Sequence, residues 1–210
     1  MSNIEAEPAE IECVSCPEEG IEVIEARSVP LGGIRAMKVN RTLPTRDRSM
    51  VGAWCFADHY GPEPVSQSGG MQVIPHPHTG LQTVSWLFEG EIEHRDSAGV
   101  HAMVLPGEMN LMSAGHGISH SEVSTERVEM LHGLQLWVAL PDAVRDDPHG
   151  FQHYAPPSVP LTDPAGAAVG SMKVFVGTLG GSTADIVTAT PLMGAEVIIE
   201  PRASVDLDVD

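Results

Sequence analysis

Residues 70–80 read GMQVIPHPHTG and residues 112–122 read MSAGHGISHSE. Each stretch holds two potential metal ligands one residue apart, His76 and His78 in the first and His120 and Glu122 in the second. Side chains alternate along an extended chain, so both members of each pair point to the same face of a strand. Three imidazoles and one carboxylate suit iron, nickel, copper or zinc better than calcium or magnesium.

The chain after the first pair indicates where these histidines point. Val84, Trp86 and Phe88 alternate along the next segment and have the same parity as His76 and His78. A continuous strand would therefore place both histidines on the apolar, inward face. Buried polar groups need partners, and either a bound metal or a hydrogen-bonded polar cluster would supply them. The first pair alone leaves both alternatives open.

All ten histidines lie between His59 and His153, and seven of them lie outside the two pairs. We expect His59 to be a structural, hydrogen-bonded residue. The polar alternation of residues 91–96 predicts a solvent-exposed hairpin arm, with His94 on the surface. His116 belongs to a glycine-rich loop and is expected to shape the site. His132 has the parity of the leucines in its strand, which predicts an inward position behind the metal ligands.

The composition indicates many short strands. The 21 Gly and 17 Pro are spread along the 210 residues, and no apolar run reaches a membrane span. With no charged-then-apolar leader, we expect a soluble, cytoplasmic protein, or a nuclear one in a eukaryote. The net charge of -18 argues against direct binding to nucleic acid but allows a protein partner. Three cysteines are too few for a secreted disulfide framework.

Changes in composition divide the chain into four parts. Residues 1–20 form an acidic tail, which also contains Cys13 and Cys16 as incidental thiols. Residues 21–145 form an N-terminal domain that contains both candidate ligand pairs, and residues 146–170, rich in Pro, Asp, Gly and Ala, form a linker. Residues 171–210 have strand-like alternation but are too few for more than a small β unit. We therefore expect an incomplete second domain.

The two motifs and their flanks resemble known families. The Gly70 to Gly90 segment is similar to the first motif of the cupin superfamily, and Pro106-Gly107 followed by His120 is similar to the second. Over residues 20–160 the chain resembles the pirin family more specifically. The segments that carry this resemblance are HPHTGLQTV (76–84), EGEIEHRDS (89–97), MSAGHGISHSE (112–122) and HGLQLWV (132–138).

The resemblance implies an all-β fold, a cupin double-stranded β-helix or jelly-roll barrel, followed by the start of a second, incomplete cupin barrel. It implies Fe2+ in the first barrel, held by His76, His78, His120 and Glu122, although the same ligands accept Ni2+, Mn2+, Cu2+ or Zn2+. Pirins usually carry Glu where this chain has Gln82. That position is not one of the four ligands, so we expect tuning of the metal rather than its loss.

Two functions follow from the resemblance. The first is a quercetin (flavonol) 2,3-dioxygenase that uses Fe2+ and O2, with Glu122 as both a ligand and the base for the 3-hydroxyl proton. The second is a non-enzymatic, iron-dependent redox regulator that binds a transcription factor or a metabolic enzyme complex. A structural cupin whose histidines satisfy one another is a third interpretation. The metal site is common to the first two.

Overall fold

The computed structural model describes residues 23–31 and 37–208. The predicted acidic tail, with Cys13 and Cys16, lies outside these ranges. Helix is limited, within the described residues, to α1 (Val65–Ser68) and a 3-10 turn at Asp142–Val144. The strands are β1 (Arg27–Pro30), β2 (Lys38–Leu43), β3 (Trp54–Pro64), β4 (Gln72–His78), β5 (Leu81–Glu89), β6 (Ile92–Asp96), β7 (His101–Val104), β8 (Met109–Ser113), β9 (Ile118–Ser124), β10 (Met130–Ala139), β11 (Gly150–Tyr154), β12 (Val159–Thr162), β13 (Ala168–Val176), β14 (Thr178–Leu179), β15 (Ser182–Thr183) and β16 (Gly194–Ile199).

Two facing sheets form the barrel. The larger has seven strands in the order β1-β2-β3-β10-β5-β8-β11, and the smaller has four in the order β4-β9-β6-β7. All pairs of named strands are antiparallel, and most neighbours in space are distant in sequence. This crossing between two sheets is the jelly-roll arrangement. The predicted all-β cupin class is confirmed.

One apolar core fills one end of the space between the two sheets. The larger sheet contributes Val39, Tyr60, Leu87 and Leu131, and the smaller contributes Ile92 and Val104; all are at most 1% exposed. These side chains alternate with outward-facing ones along each strand, as expected when a strand buries one face. The candidate metal ligands lie outside this core, among other polar side chains, and a smaller apolar cluster of Met112, Ala114 and Ile118 lies on β8, β9 and the turn between them.

The opposite face of the larger sheet is also covered. Val84 and Trp86 of β5 and Leu111 of β8 pack there against Phe175 and Val176 of β13. The rings of Trp86 and Phe175 stack with their centroids 4.6 Å apart. The prediction that Val84, Trp86 and Phe88 share a face with His76 and His78 was wrong. Gly80, with φ of 66°, turns the chain between β4 and β5 and places the two strands in different sheets.

Residues after the barrel form a smaller sheet of β12, β13 and β16, with the short ladder of β14 and β15 beside it. The segment 146–170, predicted as a linker, contains two whole strands and the first residues of β13. β11 pairs with β8 at the edge of the barrel's larger sheet, and β12 pairs with β13. The domain boundaries stay a prediction. Among the described residues, no helix is long and apolar enough to cross a membrane.

Candidate metal centre

The two predicted pairs lie on neighbouring strands of the smaller sheet. His76 and His78 end β4, His120 and Glu122 lie in β9, and His76 is the register partner of His120. β4 is an edge strand, which explains how it accommodates Pro75 and Pro77, because neither can donate a hydrogen bond to a neighbouring strand. The spacing of two residues places His78, His120 and Glu122 on the buried face, at 1%, 2% and 4% exposure.

The three imidazoles converge on one point. The Nε2 atom of His78 lies 2.9 Å from Nε2 of His76 and 3.1 Å from Nε2 of His120. Two nitrogens bound to one metal at right angles, each about 2.1 Å from it, lie about 3.0 Å apart. The observed spacing therefore fits a single ion bound by all three imidazoles, whose ligand nitrogens lie within 4.8 Å of one another. His76 is half-buried, so this side of the cluster faces the solvent.

Local contacts and burial leave these imidazoles ready to bind a cation. Nδ1 of His76 lies 3.0 Å from the carbonyl oxygen of Ile74 and donates to it, which leaves a lone pair on Nε2. Burial, followed by the neighbouring imidazoles, lowers the pKa of both His78 and His120 from 6.5 to about 3. Both rings are therefore neutral at physiological pH, the state in which histidine binds a metal.

Glu122 lies beside this cluster. Its carboxylate oxygen is within 4.8 Å of nitrogens of His94 and His120, whereas the group of three imidazoles at this spacing does not include it. The Ser85 hydroxyl donates to Glu122 Oε1 at 2.9 Å and also lies 3.1 Å from Oε1 of Gln135. A hydroxyl has one proton, and a carboxylate is the stronger acceptor. The role of Glu122 as a fourth ligand stays a prediction.

Polar and aromatic groups of the larger sheet face the cluster. Tyr60 is fully buried, and burial together with the charge of Glu122 raises its pKa well above 10, so its hydroxyl remains a donor. Within the described residues, Tyr60 Oη and Gln135 Nε2 have no hydrogen-bond partner. The indole of Trp137 meets the His78 ring edge-on at 5.0 Å and stacks on Phe56 at 4.1 Å. The interior beside the histidines thus combines unused donors with an aromatic wall.

The structure corrects two of the predictions about the other histidines. His94 is 3% exposed, not a surface residue, because β6 lies between β9 and β7 and turns His94 and Ile92 inward. His132 does not lie behind the ligands. A register shift in β10 accompanies its outward position, where its Nε2 lies 2.9 Å from Nε2 of His59 and its ring packs on Phe88.

Two other expectations about histidines can be compared with the structure, and the expectation that Gln82 tunes the metal stays a prediction. His59 is a hydrogen-bonded structural residue, as expected, through its contact with His132. His116 is exposed and contacts the carbonyl oxygen of Asp147, so it does not reach the cluster. Gln82 donates to the Ser113 hydroxyl at 2.8 Å. A sequence signal for His94 existed, since His94-Arg95-Asp96 has the same i, i+2 spacing as the two ligand pairs.

Several known proteins are similar to this chain in sequence. A pirin family model matches residues 36–138. A Pseudomonas aeruginosa protein named "Putative quercetin 2,3-dioxygenase PA1205" is 38% identical over all of this chain, and a pirin-like protein from Caulobacter vibrioides is 36% identical over 90% of it. This chain spans 65% of the length of each of these two relatives.

A solved structure agrees with these matches. The crystal structure of a quercetin 2,3-dioxygenase from Acinetobacter baumannii is 40% identical, with a TM-score of 0.76 over 83% of this chain and 56% of that one. The match therefore extends over most of the barrel and beyond the segments that carry the two ligand pairs. Sequence, fold and relatives agree that this chain belongs to the pirin family of cupin proteins.

Proposed function

We propose that this chain binds a divalent transition metal, Fe2+ in the first instance, and uses it to cleave a flavonol such as quercetin with O2. The observation that carries the proposal is the convergence of the three Nε2 atoms, 2.9 and 3.1 Å apart, next to the buried carboxylate of Glu122. The dioxygenase names of the Pseudomonas and Acinetobacter relatives support the reaction class.

The residues present fit such a metal. Three neutral imidazoles supply borderline nitrogen donors, and one carboxylate supplies a hard oxygen donor, a set typical of iron, nickel, manganese or zinc. His76, His78, His120 and Glu122 would hold the ion. When bound, it would supply Lewis acidity toward an enol-type hydroxyl and, in the case of iron, electron transfer to O2. The protein would supply orientation, a base and a dry environment.

Glu122 has the surroundings of a base that acts on a substrate hydroxyl. It is 4% exposed, and the Ser85 hydroxyl is held 2.9 Å from one of its oxygens. That hydrogen bond fixes the position of the carboxylate and leaves the second oxygen to accept a proton. Tyr60, whose pKa is raised by burial and by Glu122 itself, stays protonated and does not compete for this role.

The wall beside the imidazoles suits a flat, polar aromatic molecule. Trp137 lies against His78 and is backed by the parallel ring of Phe56. A planar ring system can stack on such a surface with a gain of about 1 kcal/mol beyond its area burial. The unpaired Gln135 amide and Tyr60 hydroxyl are donors that could meet hydroxyl or carbonyl oxygens, and flavonols carry several of both.

Turnover by the iron-loaded protein tests the proposal. We expect quercetin absorbance to fall together with release of carbon monoxide, and Glu122→Gln to lower kcat by a factor of about 100 or more. His120→Ala should lose both metal and turnover. His101→Ala is the matched control, because His101 is an exposed histidine of the neighbouring hairpin that contacts Glu93. Iron-loaded protein without turnover would refute the enzymatic proposal, and failure to bind any divalent metal would refute the metal centre.

A further inference from the structure

A chain of buried hydrogen bonds leads from a turn to His120. Oδ1 of Asp96 accepts backbone N–H groups of Ala98 and Val100, at 2.9 and 3.0 Å. Oδ2 of Asp96 lies 3.2 Å from Nε2 of His94, and Nδ1 of His94 lies 3.4 Å from Nδ1 of His120. The side chains of Asp96, His94 and His120 are 0%, 3% and 2% exposed, so bulk water has little access to the contacts between these three side chains.

The direction of each hydrogen bond follows from the first member. A carboxylate only accepts, so the Nε2 atom of His94 that faces Asp96 carries a proton. In neutral His94 the other nitrogen, Nδ1, then has a lone pair and accepts. The partner nitrogen, Nδ1 of His120, must be the donor and carry the proton of that ring. A neutral His120 with its proton on Nδ1 presents a lone pair at Nε2, the atom that lies 3.1 Å from Nε2 of His78.

We propose that Asp96 and His94 are positioning residues that fix His120 in its metal-binding tautomer. The inference rests on the proposed metal centre and assigns a function to two residues outside the ligand set. It also explains why a polar pair is buried in the barrel wall, where an apolar pair would cost less to bury. The tautomer of His76 is fixed in a comparable way by the Ile74 carbonyl oxygen, whereas Nδ1 of His120 faces His94 on the neighbouring strand.

The arrangement argues against His94 as a ligand in its own right. Ligand atoms of His94, His120 and Glu122 lie within 4.8 Å of one another, so a second ion is the competing interpretation. However, Nε2 of His94 is paired with Asp96 and Nδ1 with His120, which leaves neither nitrogen of His94 unpaired. The two interpretations differ in stoichiometry. The tautomer relay, by which we mean the hydrogen-bond chain from Asp96 through His94 to His120, predicts one ion per protein chain. A second metal site predicts two.

The substitution Asp96→Asn reverses donor and acceptor in both histidine hydrogen bonds of the relay and keeps nearly the same side-chain shape. The two backbone N–H groups require an acceptor at the Oδ1 position, so the new NH2 group must take the place of Oδ2. That NH2 group donates to Nε2 of His94, which forces the proton of His94 onto Nδ1. His94 then donates to Nδ1 of His120, and the proton of His120 moves to Nε2, where it blocks metal binding. An Asp-to-Asn change next to a histidine acts through the wrong tautomer in the same way in serine proteases.

The test measures the tautomer and the metal affinity separately. Nitrogen-15 NMR of metal-free protein reports which ring nitrogen of His120 carries the proton, and titration with Zn2+, a diamagnetic probe, gives affinity and stoichiometry. For Asp96→Asn we expect the His120 proton to move from Nδ1 to Nε2 and Zn2+ to bind about 10- to 100-fold more weakly. The matched control is Glu93→Gln, an acid-to-amide change on the same strand, at a residue whose partners are Arg95 and His101.

Two substitutions of His94 keep the test decisive if Asp96→Asn fails to fold. A Gln at position 94 can donate to Asp96 and accept from His120, so His94→Gln should retain the wild-type tautomer and affinity within about threefold. His94→Leu can do neither and should give mixed tautomers with weaker binding. Equal Zn2+ affinity in wild type, Asp96→Asn and His94→Leu would overturn the proposal, as would two ions per wild-type chain. Neither readout depends on turnover, so a metal-binding protein without dioxygenase activity still tests the relay.

Discussion

Acid should destabilise the metal-free protein over a defined pH range. Burial lowers the pKa of His78 and His120 from 6.5 to about 3. Between these values the unfolded chain binds protons at both imidazoles and the folded chain does not. Burial of the two neutral rings therefore costs no stability well above pH 6.5. The free energy of unfolding falls as the pH drops from 6.5 toward 3. Each imidazole changes the unfolding free energy by about 1.4 kcal/mol per pH unit within this range.

The expected loss of stability can be measured by comparing two pH values. From pH 6 to pH 5 the two imidazoles together remove about 2 kcal/mol, because titration of the unfolded chain is still partial at pH 6. Urea unfolding of chelator-treated protein, followed by tryptophan fluorescence, should show the midpoint moving by about 1 M urea. Saturating metal should steepen the pH dependence, since protons compete with the metal for the same nitrogens.

Variants separate this effect from general acid denaturation. A His78→Gln/His120→Gln double variant lacks both groups, so its loss from pH 6 to pH 5 should be about 2 kcal/mol smaller than that of the wild type. His116→Gln is the matched control, because it removes one exposed histidine whose Nδ1 contacts a backbone carbonyl oxygen and not a carboxylate. It should leave the wild-type pH dependence unchanged. If the double variant lost as much stability as the wild type, burial of these two rings would not be the cause of the acid sensitivity.

Three further predictions concern stability, each checked by urea unfolding at pH 7. Gly61→Ala should cost about 3 kcal/mol, because φ at Gly61 is 71° and a Cβ there would overlap the Leu131 carbonyl oxygen; a neutral outcome would mean that the backbone can shift. Arg41→Ala should cost about 2 kcal/mol, because it leaves the fully buried Asp58 carboxylate without the two 2.7 Å hydrogen bonds from the guanidinium; an unchanged midpoint would show that water replaces them. Phe175→Ala should cost about 3 kcal/mol by opening a cavity on the outer face of the barrel, and a loss below 1 kcal/mol would show that the C-terminal sheet contributes little there.

The four proposed ligands could be recognised from sequence because the signal is local. Residue type and i, i+2 spacing determine which side chains share a strand face, whatever the rest of the chain does. His94 was missed for a long-range reason. The alternation of residues 91–96 was visible, but only the pairing of β6 with β9 shows that Ile92 and His94 form the inner face while Glu93 and Arg95 face outward.

The alternation of apolar residues along β5 led to a wrong prediction for a different physical reason. Val84 and Trp86 are buried, as their pattern indicates, but against the C-terminal sheet and not against the metal ligands. Ser85 and Leu87 of the same strand face the barrel interior. When a strand is buried on both faces, its apolar parity cannot tell which face meets the site. His132 was misplaced in the same way, because β10 also has two covered faces and a register shift.

Two-sided burial of β5 has a consequence for how this protein can vary. Seven consecutive residues, Leu81–Leu87, are buried, so each has a fixed volume on one side of the sheet or the other. A saturation library should therefore tolerate few substitutions along that whole segment. In β16 the last three residues are 37% to 58% exposed and should accept polar replacements freely. Sequence drift in this barrel is thus expected to be slowest in a strand that supplies none of the proposed metal ligands.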